Sequence, residues 1–221
     1  MITVLDHGYI RLVDSMGSDL SVIRSARVSY DAEWRTGEDA GKDEKLIHYL
    51  MRNKHSSPFE SVTFTFEVKA PIFVFRQWHR HRTWSFNEVS ARYSELPEEF
   101  YVPAVEQITT QSASNKQMRT DEANPCAPVA RGSMESCMKE CFALYSDLLS
   151  QDVPRELARI VLPLGTYSHM FATVDLHNLF HFLRLRLHEH SQYEIRVYAE
   201  AMLKLIEPIV PVSVAAFKES I

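Results

Sequence analysis

Residues 61–92 read SVTFTFEVKAPIFVFRQWHRHRTWSFNEVSAR. Val62, Phe64, Phe66 and Val68 alternate with Thr63, Thr65, Glu67 and Lys69, the period-two pattern of a strand with one apolar and one polar face. Pro71 then suits the start of a helix, where its missing N–H costs nothing. The helix PIFVFRQWHRH delivers Arg80 and His81 to its C-terminal end. Four arginines and one glutamate between Arg76 and Arg92 give a local charge of +3. The chain carries −5 in all, so −8 falls on the remainder. Clustered arginine in an acidic protein is the footprint of anion recognition, because the planar guanidinium matches phosphate oxygens. A solvated charged loop is the plainer alternative, but Trp84, Phe86 and Val89 interrupt the run and imply that it folds against something.

Outward from this stretch, Thr3–Leu5 and Tyr9–Val13 read as short strands around an Asp6-His7-Gly8 turn. Asp19 is a candidate cap for a helix through Val28. A second helix is expected over 43–53, with Leu46, Ile47, Leu50 and Met51 on one face and a polar loop before it. Residues 105–131 lack periodicity and read as a surface excursion. Helices follow over 134–149 and from Pro154, then a strand in TYSHMFATV (166–174). Asp175 suits the N-cap of DLHNLFHFLRLRL, and Ser191 with Glu194 has capping-box spacing for a helix through Ile206. The expected fold class is α+β: an antiparallel sheet flanked by helices, in one domain spanning 1–221.

On the helix after Asp175, Leu176, Leu179, Phe180, Leu183 and Leu187 form the core stripe. His177, His181, Arg184 and His188 share another face, and Arg186 lies about 180° from His177. Two polar surfaces on one helix suit a subunit interface serving two sites. Histidines at i, i+4 can also chelate, but HExxH order is missing and the cysteines lack zinc spacing, so no metal is expected. Cys137 and Cys141 are one turn apart, in line with Leu144 and Leu148, and read as core. Cys126 lies in polar loop, and no group nearby would activate it as a nucleophile. Dinucleotide and P-loop glycine motifs are missing. With no apolar run of membrane length and no leader at Met1, the sequence reads as cytoplasmic, without membrane partners. The net charge weighs against nucleic acid, although a nucleotide- or RNA-binding module using Arg80–Arg92 is the alternative class.

RHRTWSFNEVSAR resembles the RHRxxSxNExSxR signature of flavin-dependent thymidylate synthases at every fixed position. The resemblance extends to HSSPFE, FRQW, PRELARIVLP and LRLRLHEHSQYEIRVYA. It implies reductive methylation of dUMP to dTMP without a cysteine nucleophile. FAD would be the redox cofactor, NADPH the reductant and 5,10-methylenetetrahydrofolate the carbon donor. It further implies a homotetramer with shared active sites. By the same resemblance, Arg80, His81 and Arg82 bind FAD, with His55, Ser57 and Glu60 near the flavin. Asn87 and Glu88 contact flavin and nucleotide. Gln77, Arg80, Glu88, Ser90, Ala91, Arg92 and Arg159 match the dUMP pocket, and Arg186 matches the arginine that activates the uracil. Asp175, His177 and His181 stand where some members have Asn, Arg and Asn. Asp175 is then expected to cap its helix or to accept from the flavin.

Overall fold

In a computed structural model covering residues 1–221, the alternation at 62–68 becomes the middle strand of a five-stranded antiparallel sheet. The elements in chain order are β1 (Ile2–Val4), β2 (Gly8–Met16), α1 (Asp19–Val28), α2 (Ala40–Arg52), β3 (Thr63–Pro71), α3 (Ile72–Trp78), β4 (Ser85–Glu88), β5 (Thr109–Gln111), β6 (Arg119–Ala123), α4 (Ala127–Ser150), α5 (Arg155–Ala158), β7 (Tyr167–Asp175), α6 (Leu176–Arg186), α7 (Tyr193–Ile206) and α8 (Pro211–Lys218). The sheet order is β1-β2-β3-β7-β4, while β5 and β6 form a separate hairpin. The α+β expectation holds. No helix is long and apolar enough to cross a membrane.

The register of β3 against β7 pairs Phe64 with Val174, Phe66 with Ala172 and Val68 with Met170. These residues are buried on one face, where they join side chains from α1, α2, α3, α6, α7 and α8 in the main core. The opposite face is polar. There Glu67 accepts hydrogen bonds from Tyr9 and Arg11 and bonds the His169 ring. Burial alone would raise its pKa, but the bonds from Tyr9, His169 and Arg11 outweigh burial and hold the carboxyl below its usual value. The hydroxyl of Tyr9 is pushed up to about 12, by burial first and then by Glu67.

Several local expectations change. Ser18, not Asp19, is the N-cap of α1. The Asp19 carboxylate instead reaches α8 and accepts from the N–H groups of Val212 (2.8 Å) and Ser213 (3.0 Å) and from the Ser213 hydroxyl. Helix α2 begins at Ala40 because Asp39 caps it, accepting from Lys42 N–H at 3.1 Å. The 105–131 stretch contains the β5–β6 hairpin and the first turn of α4. The hairpin is fastened by Arg119, which donates to the Gln107 carbonyl and to Glu194 and lies over the Tyr193 ring. The Ser191–Glu194 capping box does not form: Gln192 is the N-cap of α7, and Glu194 is taken by Tyr101 and Arg119. Cys137 is exposed and Cys141 half-buried, because α4 buries Phe142 and Tyr145 instead.

Replacing Asp19 with alanine would strip α8 of its cap and leave the amides of Val212 and Ser213 unpaired. Denaturant unfolding of Asp19→Ala is expected to show a loss of about 1–3 kcal/mol, with the sheet intact by circular dichroism.

Candidate active site

The site is built where α3 ends and the chain turns into β4. Trp78 and Trp84 are buried, Trp78 stacked on Phe182 of α6 with ring centres 5.0 Å apart and Trp84 at 5.2 Å from the same ring. Midway between them in sequence, His81 is 7% exposed, with its ring 4.8 Å from Phe182. A three-residue spacing therefore turns Trp78, His81 and Trp84 inward. Arg80 and Arg82 are left exposed. With Arg76, also exposed, they form no ion pair, whereas Arg11, Arg27, Arg92, Arg119, Arg131 and Arg155 each face a carboxylate. Unpaired guanidinium groups this close together are a donor set suited to phosphate oxygens. His79 packs edge-on against Phe86 at 4.7 Å, which accounts for an aromatic ring at that position.

The middle of the motif is a strand, which its polar composition did not announce. In β4, Ser85, Phe86, Asn87 and Glu88 pair with Thr173, Ala172, Phe171 and Met170. Alternation sends Asn87 to the polar face of the sheet and Glu88 to the core-side face. There Glu88 accepts from the Ser168 hydroxyl at 2.5 Å. Neighbours in sequence thus serve opposite sides of the sheet edge.

The expected residues fall into three groups. In the first, Arg186 Nε donates to His81 Nε2 at 3.1 Å and one Nη donates to the Gln77 carbonyl at 3.3 Å. The Gln77 amide donates to Gln192, and the His181 ring lies 6.0 Å from that of His81. Burial, then Arg186 and His181, push the His81 pKa down to about 4, so this imidazole is neutral near pH 7. Burial also lowers that of Arg186. In the second group, Ser90 Oγ accepts from Arg92 N–H at 3.2 Å, Ala91 is buried, and the Arg92 guanidinium pairs with Glu156 at 3.4 Å. Arg159 Nε donates to the Glu156 carbonyl. A shallow cleft of about 230 Å³ is lined by Arg92, Tyr93, Pro154, Arg155 and Glu156. Arg155 and Glu156 were not singled out from the sequence, although PRELAR carried the signal.

The third group is the turn holding His55, Ser57 and Glu60, all exposed. It is set beside α6 by Phe59, whose ring lies 6.2 Å from Phe180. The ring nitrogens of His177, half-buried, and His181, exposed, make no hydrogen bond within the chain and are left for a ligand. Asp175 is the N-cap of α6, its carboxylate accepting from Asn178 N–H (2.9 Å) and Asn178 Nδ2 (2.6 Å). Of its two expected roles, the cap is the one its contacts fulfil. Arg184 donates to Ser220 and lies over Phe217, which ties α6 to the end of α8.

The family model described as thymidylate synthase complementing protein matches residues 11–212. A flavin-dependent thymidylate synthase of Treponema denticola is 52% identical over 217 residues, covering 97% of this chain and 80% of the relative. One from Thermus thermophilus is 49% identical over 218 residues, covering 99% and 78%. Among solved structures, a UMP/dUMP methylase from Streptomyces cacaoi bound with 5-Br dUMP superposes with a TM-score of 0.88 at 38% identity, covering 99% of this chain and 97% of that one. With a motif, a fold and relatives that agree over nearly its whole length, the chain belongs to the flavin-dependent thymidylate synthase family.

Proposed function

We propose that the protein reductively methylates dUMP to dTMP, with 5,10-methylenetetrahydrofolate as carbon donor, FAD as redox cofactor and NADPH as reductant. That it is an enzyme of the methyltransferase class follows from its family. The observation that carries the finer reading is how residues 80–92 divide. Arg80 and Arg82 project without ion pairs, while Ser90, Ala91 and Arg92 form a turn beside Glu156 and Arg159. Two anionic ligands held on either side of one edge strand would need such a division. The Streptomyces cacaoi methylase bound with a dUMP analogue supports the nucleotide half, and the relatives' flavin dependence supports the other.

The residues present fit a flavin: unpaired Arg80 and Arg82 for its phosphates, and the exposed His55, Ser57, Glu60 and His181 with the half-buried His177 around the turn at α6. A bound flavin supplies the redox chemistry, and the chain supplies orientation and charge. Arg92 and Arg159 hold the nucleotide phosphate, with Ser90 shaping the turn. Gln77 and Glu88 border the nucleotide. Arg186 presents a fixed cation to the uracil, stabilising the anion that develops as the ring N–H is lost. Preorganisation matters here, since no dipole need reorient as the charge appears. The reading assigns no nucleophilic role to Cys126, Cys137 or Cys141. A homotetramer in which neighbouring chains complete each site belongs to the same reading. Location in the cytoplasm belongs to the same proposal.

Purified protein is expected to show flavin absorbance in the visible and to form dTMP when given dUMP, NADPH and methylenetetrahydrofolate. A colourless protein that binds RNA in a salt-dependent way would instead favour the nucleic-acid module. Arg186→Ala should lower turnover by about 10²–10³-fold, the scale for losing one preorganised electrostatic group, with flavin content unchanged. Arg92→Ala should raise KM for dUMP by about 10–100-fold, as expected for a lost charge-assisted phosphate contact, again with flavin retained.

A further inference from the structure

We propose that His81 is a positioning residue for Arg186: its buried imidazole accepts from Arg186 Nε and, together with the Gln77 carbonyl, fixes the guanidinium plane. This rests on the reading of Arg186 as the uracil-activating group. The direction of the bond follows from chemistry alone. Arg186 Nε–H can only donate, so His81 Nε2, 3.1 Å away, must be the unprotonated ring nitrogen and Nδ1 carries the proton. A second guanidinium N–H donates to the Gln77 carbonyl at 3.3 Å. Nε and the neighbouring Nη form one fork of the planar group, so both holding contacts occupy the same edge. The end-on edge, with Nη1 unpartnered in the chain, is left for a ligand.

The holding groups are themselves fixed. The His81 ring is wedged edge-on against Phe182, which stands one helical turn before Arg186 on α6. The His81 amide donates to the Trp78 carbonyl at 2.9 Å, tying the segment to the end of α3. The same helix thus supplies both the guanidinium and the ring that seats its acceptor. A protonated His81 would have no lone pair for Arg186 and would place two cations in contact. Burial and the adjoining Arg186 and His181 disfavour that state. Arg80 and Arg82 share the motif with His81 but point outward, so the motif's middle residue has a different task from its neighbours.

The test compares His81→Phe, which fills the space without an acceptor, with His81→Gln, whose Oε1 can accept near the Nε2 position. His81→Asn, too short to reach Arg186, replaces the Phe variant if that one does not fold. Three quantities are read on the holoenzyme: flavin bound per chain, dUMP-dependent turnover, and the Arg186 side chain in a crystal structure. Expected for His81→Phe are full flavin content, turnover lowered about 10²-fold toward that of Arg186→Ala, and Arg186 displaced from the Gln77 carbonyl. His81→Gln should recover most of the turnover, and His81→Phe combined with Arg186→Ala should be no slower than Arg186→Ala alone. Loss of flavin with Arg186 unmoved would overturn the proposal, as would full turnover in His81→Phe while Arg186→Ala is crippled. Should Arg186→Ala itself turn over normally, the uracil-activating reading fails. The holding contact is then decided by whether Arg186 leaves Gln77 when His81 is replaced.

Discussion

The aromatic cluster of Trp78, Trp84 and Phe182 is the constraint on which the site depends. It clamps the segment between α3 and β4 onto α6. Burying each large aromatic contributes about 2–3 kcal/mol, enough to outweigh two indole N–H groups left without partners, at about 1–3 kcal/mol each. The clamp also sets direction. With Trp78 and Trp84 inward, the residue halfway between them is inward too, and the arginines on either side of it cannot be. One packing event therefore places a neutral acceptor behind the site and two free cations in front of it.

Charge arrangement follows the same division. Arginines elsewhere are largely neutralised by nearby carboxylates, as Arg27 is by Asp43 and Arg119 by Glu194. Those of residues 76–82 are not. Arg92 is intermediate: its pair with Glu156 spans 3.4 Å between half-exposed groups, a contact worth little in water and readily exchanged for phosphate. Arg186 differs from all of these. It is half-buried, has no carboxylate, and is held by a ring nitrogen and a carbonyl, so its charge is preserved for a ligand.

Elements governed by local rules were legible in the sequence. The alternation of Val62 to Val68 named β3, Asp175 announced α6, and the apolar spacing of 46–51 gave α2. What was missed depends on distant partners. β4 gives little strand signal because it is an edge strand paired only with β7, so its alternation is half polar. The cap of α8 comes from Asp19, at the other end of the chain. Glu194 has the right spacing to cap its own helix, but Tyr101 and Arg119 claim it. The face of α4 was misassigned because Cys137 and Leu144 lie in register with a plausible stripe, while Phe142 and Tyr145, one position away, bury more surface. Within the site, the residue types carried the chemistry of the arginines. They gave no sign that His81 faces the opposite way.

The most direct measurement is a crystal structure of the protein with FAD and a dUMP analogue. It should place flavin phosphates on Arg80 and Arg82 and the nucleotide phosphate on the Ser90–Arg92 turn with Arg159. The free edge of Arg186 should meet the uracil, with His81 still behind it. A nucleotide seated away from both arginine groups, or a flavin contacted by His81 in place of Arg80 and Arg82, would contradict it.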